Sequence, residues 1–302
     1  MNYIIGGGPA GLVFAFLNMD FKVIDKNPFG QLKSKYQLGP RLIQTGLNTE
    51  ILIKNLLQKP VEVATAFVGY EYEDGRVDPF LTDEFRRKYS FLTRGTYDYE
   101  STFLSAGQNQ IEHYVFLNSK NSYLYLFEMI YDILKSRNQI IENKIESINT
   151  ETKMISMDDY KQFSYDNLVS TVSLKILKKL LKNSSELDNI DLSTKNKNFY
   201  VTNAPFDGIY SYIYSIMGDY TRRTHIDDYV VYESEQPRQQ EAIYNHQVVY
   251  KMENLPIQIV KSANIETVSD IHMLGRYAQW SHKVKLEEVI EQSLKIMKKI
   301  YG

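Results

Sequence analysis

The sequence predicts an α/β fold, and three stretches of it carry that prediction. Residues 2–25 run strand, glycine turn, helix, strand. Residues 138–174 read as short strands around a hairpin. From Leu286 to Tyr301 the apolar residues Leu286, Val289, Ile290, Leu294, Met297 and Ile300 recur at helical spacing.

The opening stretch is the most informative. Tyr3-Ile4-Ile5 is a short apolar run of the kind buried in a parallel sheet. Gly6-Gly7-Gly8-Pro9-Ala10-Gly11 follows and fits G-x-G-x-x-G. A helix apolar nearly all round is expected from about Pro9 to Asn18, and Phe21-Lys22-Val23-Ile24-Asp25 is a second strand ending in an acid. Gly6 permits a tight turn, Gly8 lets backbone approach a pyrophosphate, and Gly11 allows close packing of helix on strand. The helix N-terminus offers N–H groups and partial positive charge to phosphates. Asp25 stands where a carboxylate accepts from a ribose hydroxyl, about one helical turn sooner than the usual spacing, so the first helix should be short. Together these features point to dinucleotide binding. The glycines alone do not choose between FAD and a nicotinamide cofactor.

Composition narrows the chemistry. The chain has 302 residues, 43% hydrophobic and 24% charged, as in ordinary soluble globular proteins. It has no cysteine, which excludes disulfides, thiolate metal sites and cysteine nucleophiles, so redox work would fall to a bound cofactor. A net charge of −2 favours neither nucleic acid nor an anionic membrane. No apolar run has the length of a membrane span, and the chain starts directly on a strand, so a cytoplasmic location is expected. The odd item is 24 tyrosines against one tryptophan.

Resemblance chooses the cofactor. Lys26-Asn27-Pro28-Phe29-Gly30-Gln31-Leu32-Lys33-Ser34 resembles the loop after the acidic residue in FAD proteins of the amine oxidase, protoporphyrinogen oxidase and UDP-galactopyranose mutase superfamily. Leu38-Gly39-Pro40-Arg41-Leu42-Ile43-Gln44-Thr45 resembles the segment that returns towards the flavin, although many members carry His or a small residue at the Arg41 position. Residues 138–148 look like the strand that lines the adenine, and Tyr165 to Leu174 like the strand and turn leading back to the nucleotide. Asp270 to Trp280 resembles the last strand with its Gly-Arg turn, Gly275-Arg276. In that group the closing helix aims its N-terminus at the flavin, where its dipole stabilises negative charge. The Asn/Asp-Met pair usual before that helix is replaced here by Val284-Lys285-Leu286.

The resemblance implies a Rossmann-like FAD-binding domain formed by residues 1–58, 136–185 and 262–302. An interleaved α+β substrate domain takes residues 59–135 and 186–261. It implies non-covalent FAD held by Gly6, Gly8, Pro9, Ala10, Gly11, Asp25, Lys26, Gln31, Leu32, Arg41, Ile145, Thr171, Gly275, Arg276, Lys285 and Leu286.

The inserted regions should define the substrate. Val61 to Phe80 reads as a hairpin split by Glu73-Asp74-Gly75-Arg76. Asp83 starts a short helical stretch, and Tyr123 to Leu134 reads as a helix. Thr194 to Asn198 reads as a polar connecting loop. Gly208 to Ile216 alternates with period two, so its tyrosines form either a half-buried sheet face or a pocket wall. Tyr220-Thr221-Arg222-Arg223-Thr224-His225 has some likeness to a mutase strand that carries a basic residue towards the active site. Strand geometry lets only one of the two arginines point inward. Tyr229 to Tyr232 and Gln247 to Met252 are further strands. No metal-type spacing of His with carboxylates, no G-x-S-x-G and no P-loop lysine is present.

The expected activity is therefore hydride transfer from a small substrate, such as an amine, to FAD. Arg276 would stand near the flavin, and Arg222 and Tyr212 would face the substrate. Alternatives are a mutase-like flavin-dependent isomerase, which needs arginine clamps for a nucleotide-sugar diphosphate, and a non-catalytic FAD-binding protein.

Overall fold

The computed structural model describes residues 1–29, 36, 42–95, 109–117, 119, 121–182, 185–204, 208–226, 228–238, 241–260, 262–281 and 284–302. Gln31, Leu32 and Arg41 lie outside the described residues. No helix among the described residues is long and apolar enough to cross a membrane.

Asn2–Ile5 is the hub of a six-stranded sheet. Phe21–Asp25 pairs parallel to it on one side, with Ile140–Glu142 beyond. Asn167–Ser170 pairs parallel on the other side, followed by Ile271–Met273 and an antiparallel edge strand, Thr267–Val268. Ile4, Ile5, Val23, Ile24, Leu168 and Val169 are fully buried, as strands covered on both faces require. The chain leaves the hub strand to one side and later returns on the other. That reversal opens a crevice at the carboxyl ends of the strands, the usual ligand position in such sheets.

The helices Pro9–Leu17, Ser122–Ser136 and Leu286–Tyr301 share one core, through Leu12, Phe14, Phe127, Ile130, Leu134, Val289 and Ile290. The other face is covered by Leu174–Leu180 and an antiparallel three-stranded sheet, Ile145–Asn149, Met154–Met157 and Gln162–Ser164. The short first helix and the closing helix lie as the sequence predicts. The Gln139 side chain explains how the first helix can stop early: its Nε2 reaches the carbonyls of Ala15, Asn18 and Phe21 at 3.1, 3.2 and 2.9 Å. Ser122–Ser136 falls in the stretch expected to belong to the substrate unit. Its apolar stripe packs instead in one core with the glycine-rich helix, whose Leu12, Val13 and Phe14 are fully buried.

A ten-stranded sheet is built from the strands within residues 43–116 and 194–259; Val61–Glu71 lies third from the end formed by Ile43–Gln44, parallel to Tyr212–Ser215 and antiparallel to Gln110–Phe116. One expectation is corrected here. Thr194–Thr202 is a strand, not a connecting loop, although its first half is polar. Lys197 is 9% exposed and ion-paired with Glu235, and Asn198 is fully buried, donating to the Ser234 carbonyl at 3.1 Å. Buried polar side chains with partners fit a strand as well as apolar ones do.

Candidate functional site

Two glycine-bearing turns, Gly6–Gly11 and Gly275, converge at the carboxyl ends of the parallel strands. After Asn2–Ile5 the chain turns at Gly6, whose φ of 103° is accessible mainly to glycine. Its N–H donates to the Ile24 carbonyl at 3.0 Å. A Cβ on Gly11 would lie 2.0 Å from the Gly6 carbonyl oxygen, so this helix approaches its strand more closely than any side chain permits. Gly8, the N-cap, is extended, and among the described residues no atom beyond its chain neighbours lies within 4 Å of a built Cβ. The loop thus leaves free space at Gly8, in front of a helix N-terminus whose first N–H groups have no intrahelical partner.

Asp25 closes the second strand and accepts from the Gly7 N–H at 2.6 Å and the Asn27 N–H at 2.8 Å. A carboxylate has about four lone-pair positions, so two remain for ribose hydroxyls. Thr171, at the end of the third strand, donates to the Gly6 carbonyl at 2.9 Å and so braces the loop from below. Gly275, with φ 90°, follows the fourth strand, and a Cβ there would lie 2.8 Å from the Cβ of Ala10. The two ends of the chain therefore touch at the glycine loop. Pro9 and Ala10 are half-buried beside it, Lys26 is exposed, and Ile145 packs into the core under the sheet.

The closing helix begins at Leu286, which packs in the core, while the Lys285 side chain is exposed. The Lys285 N–H donates to Glu288 at 3.0 Å. Glu287 reaches away from its own helix. It accepts from the N–H groups of Asn48 and Thr49, both at 2.9 Å, and from the Thr49 hydroxyl at 2.8 Å, capping the short helix Leu47–Glu50. Burial works against its charge, but these hydrogen bonds outweigh it and hold the carboxyl below its ordinary value of 4.5. A depressed pKa means stability that is full above the unfolded value and lost as pH falls through the folded one. Glu287→Gln should therefore cost about 1 kcal/mol at neutral pH, allowing for partial exposure. Urea melts of wild type and variant should converge in acid.

The ten-stranded sheet turns one face towards this crevice. Tyr36, from the stretch after the second strand, packs on Tyr229 and Tyr250 of that face with ring centroids 5.3 and 5.4 Å apart. Arg222 lies on the same face opposite Glu233 and donates to it through Nε at 2.8 Å and through a terminal nitrogen. Burial opposes the guanidinium charge, but Glu233, with Tyr214, Tyr89 and Tyr212, raises its pKa overall. Tyr212 is 7% exposed and packs with Val68, Tyr70, Tyr89 and Tyr214. Tyr277, beside the exposed Arg276, feels both Arg276 and Glu233; burial is the largest cause of its raised pKa. Tyr277 keeps 36% of its surface open, so a desolvated phenol there lines a crevice. Tyr277 thus lies within electrostatic reach of both the Arg276 guanidinium and the Glu233 carboxylate. The sequence reading named Arg222 and Arg276 as site candidates and did not single out Glu233, Tyr277, Gln139 or Glu287. Among the described residues no cluster of three or more His, Asp or Glu could hold a metal ion.

No family model and no curated protein matches the chain by sequence. Solved structures do match it. A reduced UDP-galactopyranose mutase superposes with a TM-score of 0.72 at 12% identity, over 100% of this chain and 95% of that one. An oxidoreductase from Methanosarcina mazei gives 0.71 at 10% identity, over 98% and 99%. A putrescine oxidase variant with redesigned cofactor binding gives 0.64 at 10% identity, over 99% and 98%. The fold is therefore the one these enzymes share, as the sequence resemblance implies.

Proposed function

We propose that the protein is an oxidoreductase that binds FAD non-covalently and takes a hydride from a small substrate, with amines the first class to test. One observation carries this reading: the Gly6–Gly11 loop, Asp25 and Gly275 meet at the strand ends, with open space only at Gly8. A cradle that a Cβ would fill at Gly7, Gly11 and Gly275, yet open at Gly8, fits a pyrophosphate lying along the helix N-terminus. The first helix and Asp25 would hold the dinucleotide, and the Gly275-Arg276 turn would lie beside it. When bound, FAD supplies the hydride acceptor, which a chain without cysteine cannot provide itself.

The chain's own residues would orient the substrate and exclude water. The sheet face with Tyr36, Tyr229 and Tyr250 supplies aromatic surface. Arg222 contributes little net positive charge, because Glu233 already neutralises it. That weakens the alternative of an isomerase clamping a nucleotide-sugar diphosphate, for which Arg222 would be a principal clamp.

The absorption spectrum of the purified protein, with mass identification of released cofactor, tests the reading. Flavin absorbance should bleach anaerobically with a suitable amine and recover in air. Product formed only after dithionite, with no net use of reductant, would favour the isomerase instead. Tight FAD that neither substrates nor air affect would mark a non-catalytic protein. A chain that stays colourless after incubation with FAD would sink all three.

A further inference from the structure

The opposite face of the ten-stranded sheet holds a second pocket. Strand alternation puts Arg222 and Glu233 on one side and Arg223 and Tyr232 on the other, so this pocket lies away from the crevice described above. Its volume is about 260 Å³. Tyr200, Tyr220 and Tyr232, each at most 3% exposed, form its floor. Tyr244 stands over them at the tip of the hairpin that joins Ala242–Ile243 to His246–Ile259.

The rings make a box. Tyr220 meets Tyr232 edge-on at 5.4 Å and Tyr244 edge-on at 5.9 Å, while Tyr232 and Tyr244 are near-parallel at 6.1 Å. Two hydroxyls are already tied down: Tyr220 donates to the buried Glu71 at 2.6 Å, and Tyr200 donates to Glu253 at 2.7 Å. What these two present is mainly aromatic surface. The guanidinium of Arg223 lies 5.8 Å from the Tyr244 centroid. Arg238 lines the pocket and holds Asp219 at 2.8 Å through a terminal nitrogen.

The backbone of Tyr244 adds a separate observation. Tyr244 and Asn245 have φ of 47° and 64°, the two left-handed positions of a two-residue hairpin turn. Asn suits such a position and a bulky aromatic does not. Strain kept at one residue, with its ring set over a pocket, points to a use for that ring.

We propose that this pocket is a second ligand site, taking one aromatic ring that bears a carboxylate, with Tyr244 as its outer wall. The volume is just below the range of drug-sized sites and matches a single substituted ring. The rings stack the ligand, and the Arg238 guanidinium, which lines the pocket, gives the carboxylate its donors. The site stands whether or not the flavin reading does.

Calorimetric titration of the full-length protein with benzoate tests it. Saturable binding at millimolar benzoate or tighter is expected, with benzylamine and cyclohexanecarboxylate each binding at least about tenfold more weakly. Tyr244→Asn removes the ring and suits the turn, so the melting temperature should hold or rise while benzoate affinity falls at least about tenfold. Arg238→Met should also weaken benzoate. No saturable benzoate binding, equal binding of benzylamine, or benzoate affinity unchanged in folded Tyr244→Asn would each overturn the proposal.

Discussion

Gly8→Glu is expected to yield a protein that folds as wild type and carries no flavin. Gly8 has φ −78°, which any residue adopts, and a Cβ there meets no atom of the described residues beyond its chain neighbours within 4 Å. A carboxylate at a helix N-terminus is also favourable to the helix dipole, so the helix itself gains rather than loses. The same carboxylate would occupy the space proposed for the pyrophosphate and repel it. FAD affinity should drop by at least about a hundredfold, or roughly 3 kcal/mol. Flavin absorbance per chain after purification, read beside the melting temperature, checks both halves. A folded variant that remains yellow would refute the assignment of this loop. Gly8→Ala is the milder control and should melt within about 0.5 kcal/mol of wild type.

The half of the molecule built on the six-stranded sheet was legible because its rules are local. Strand, glycine turn, helix and acid follow one another within residues 2–25, and each residue type has one physical reason to be there. The closing helix was equally plain, since Leu286–Tyr301 shows its apolar stripe without reference to anything else. What escaped depends on partners far away in sequence. Thr194 to Asn198 reads as a loop because its polar residues look solvated, and Glu235 and the Ser234 carbonyl make the burial of Lys197 and Asn198 tolerable. Glu287 is an ordinary first-turn acid until Asn48 and Thr49 are brought to it. Ser122–Ser136 was recognised as a helix but not for where it packs, because an apolar stripe does not name its partner. Glu233 could have been found. A hairpin that pairs Ile226 with Tyr229 necessarily sets Arg222 against Glu233, so the turn alone was enough to neutralise that arginine. The tyrosine excess divides between the two faces of the large sheet, which a strand pattern cannot show without strand order.

Gly11→Ala should do what Gly8→Ala does not and unfold the protein. The added Cβ would lie 2.0 Å from the Gly6 carbonyl oxygen, a backbone atom, not the end of a flexible side chain. That oxygen cannot move aside cheaply. It accepts the Thr171 hydroxyl at 2.9 Å, and the Gly6 N–H is bound to the Ile24 carbonyl at 3.0 Å. Relieving the clash means lifting the helix from the central strand, away from a core in which Leu12, Val13 and Phe14 are fully buried. The expected loss exceeds about 4 kcal/mol, a large share of the 5–15 kcal/mol by which domains are usually stable. Urea unfolding should show a midpoint far below that of wild type, or no folded protein at all, and the flavin should go with it. Thr171→Val keeps the shape and removes only the brace, so it should cost about 1 kcal/mol. The ranking separates two roles within one six-residue motif. On the proposed reading Gly8 is glycine so that a ligand can approach, whereas Gly11 is glycine so that the helix can sit on its strand. If Gly11→Ala melts like wild type, the close contact of helix and strand is wrong, and with it the position of every N–H group assigned to the phosphates.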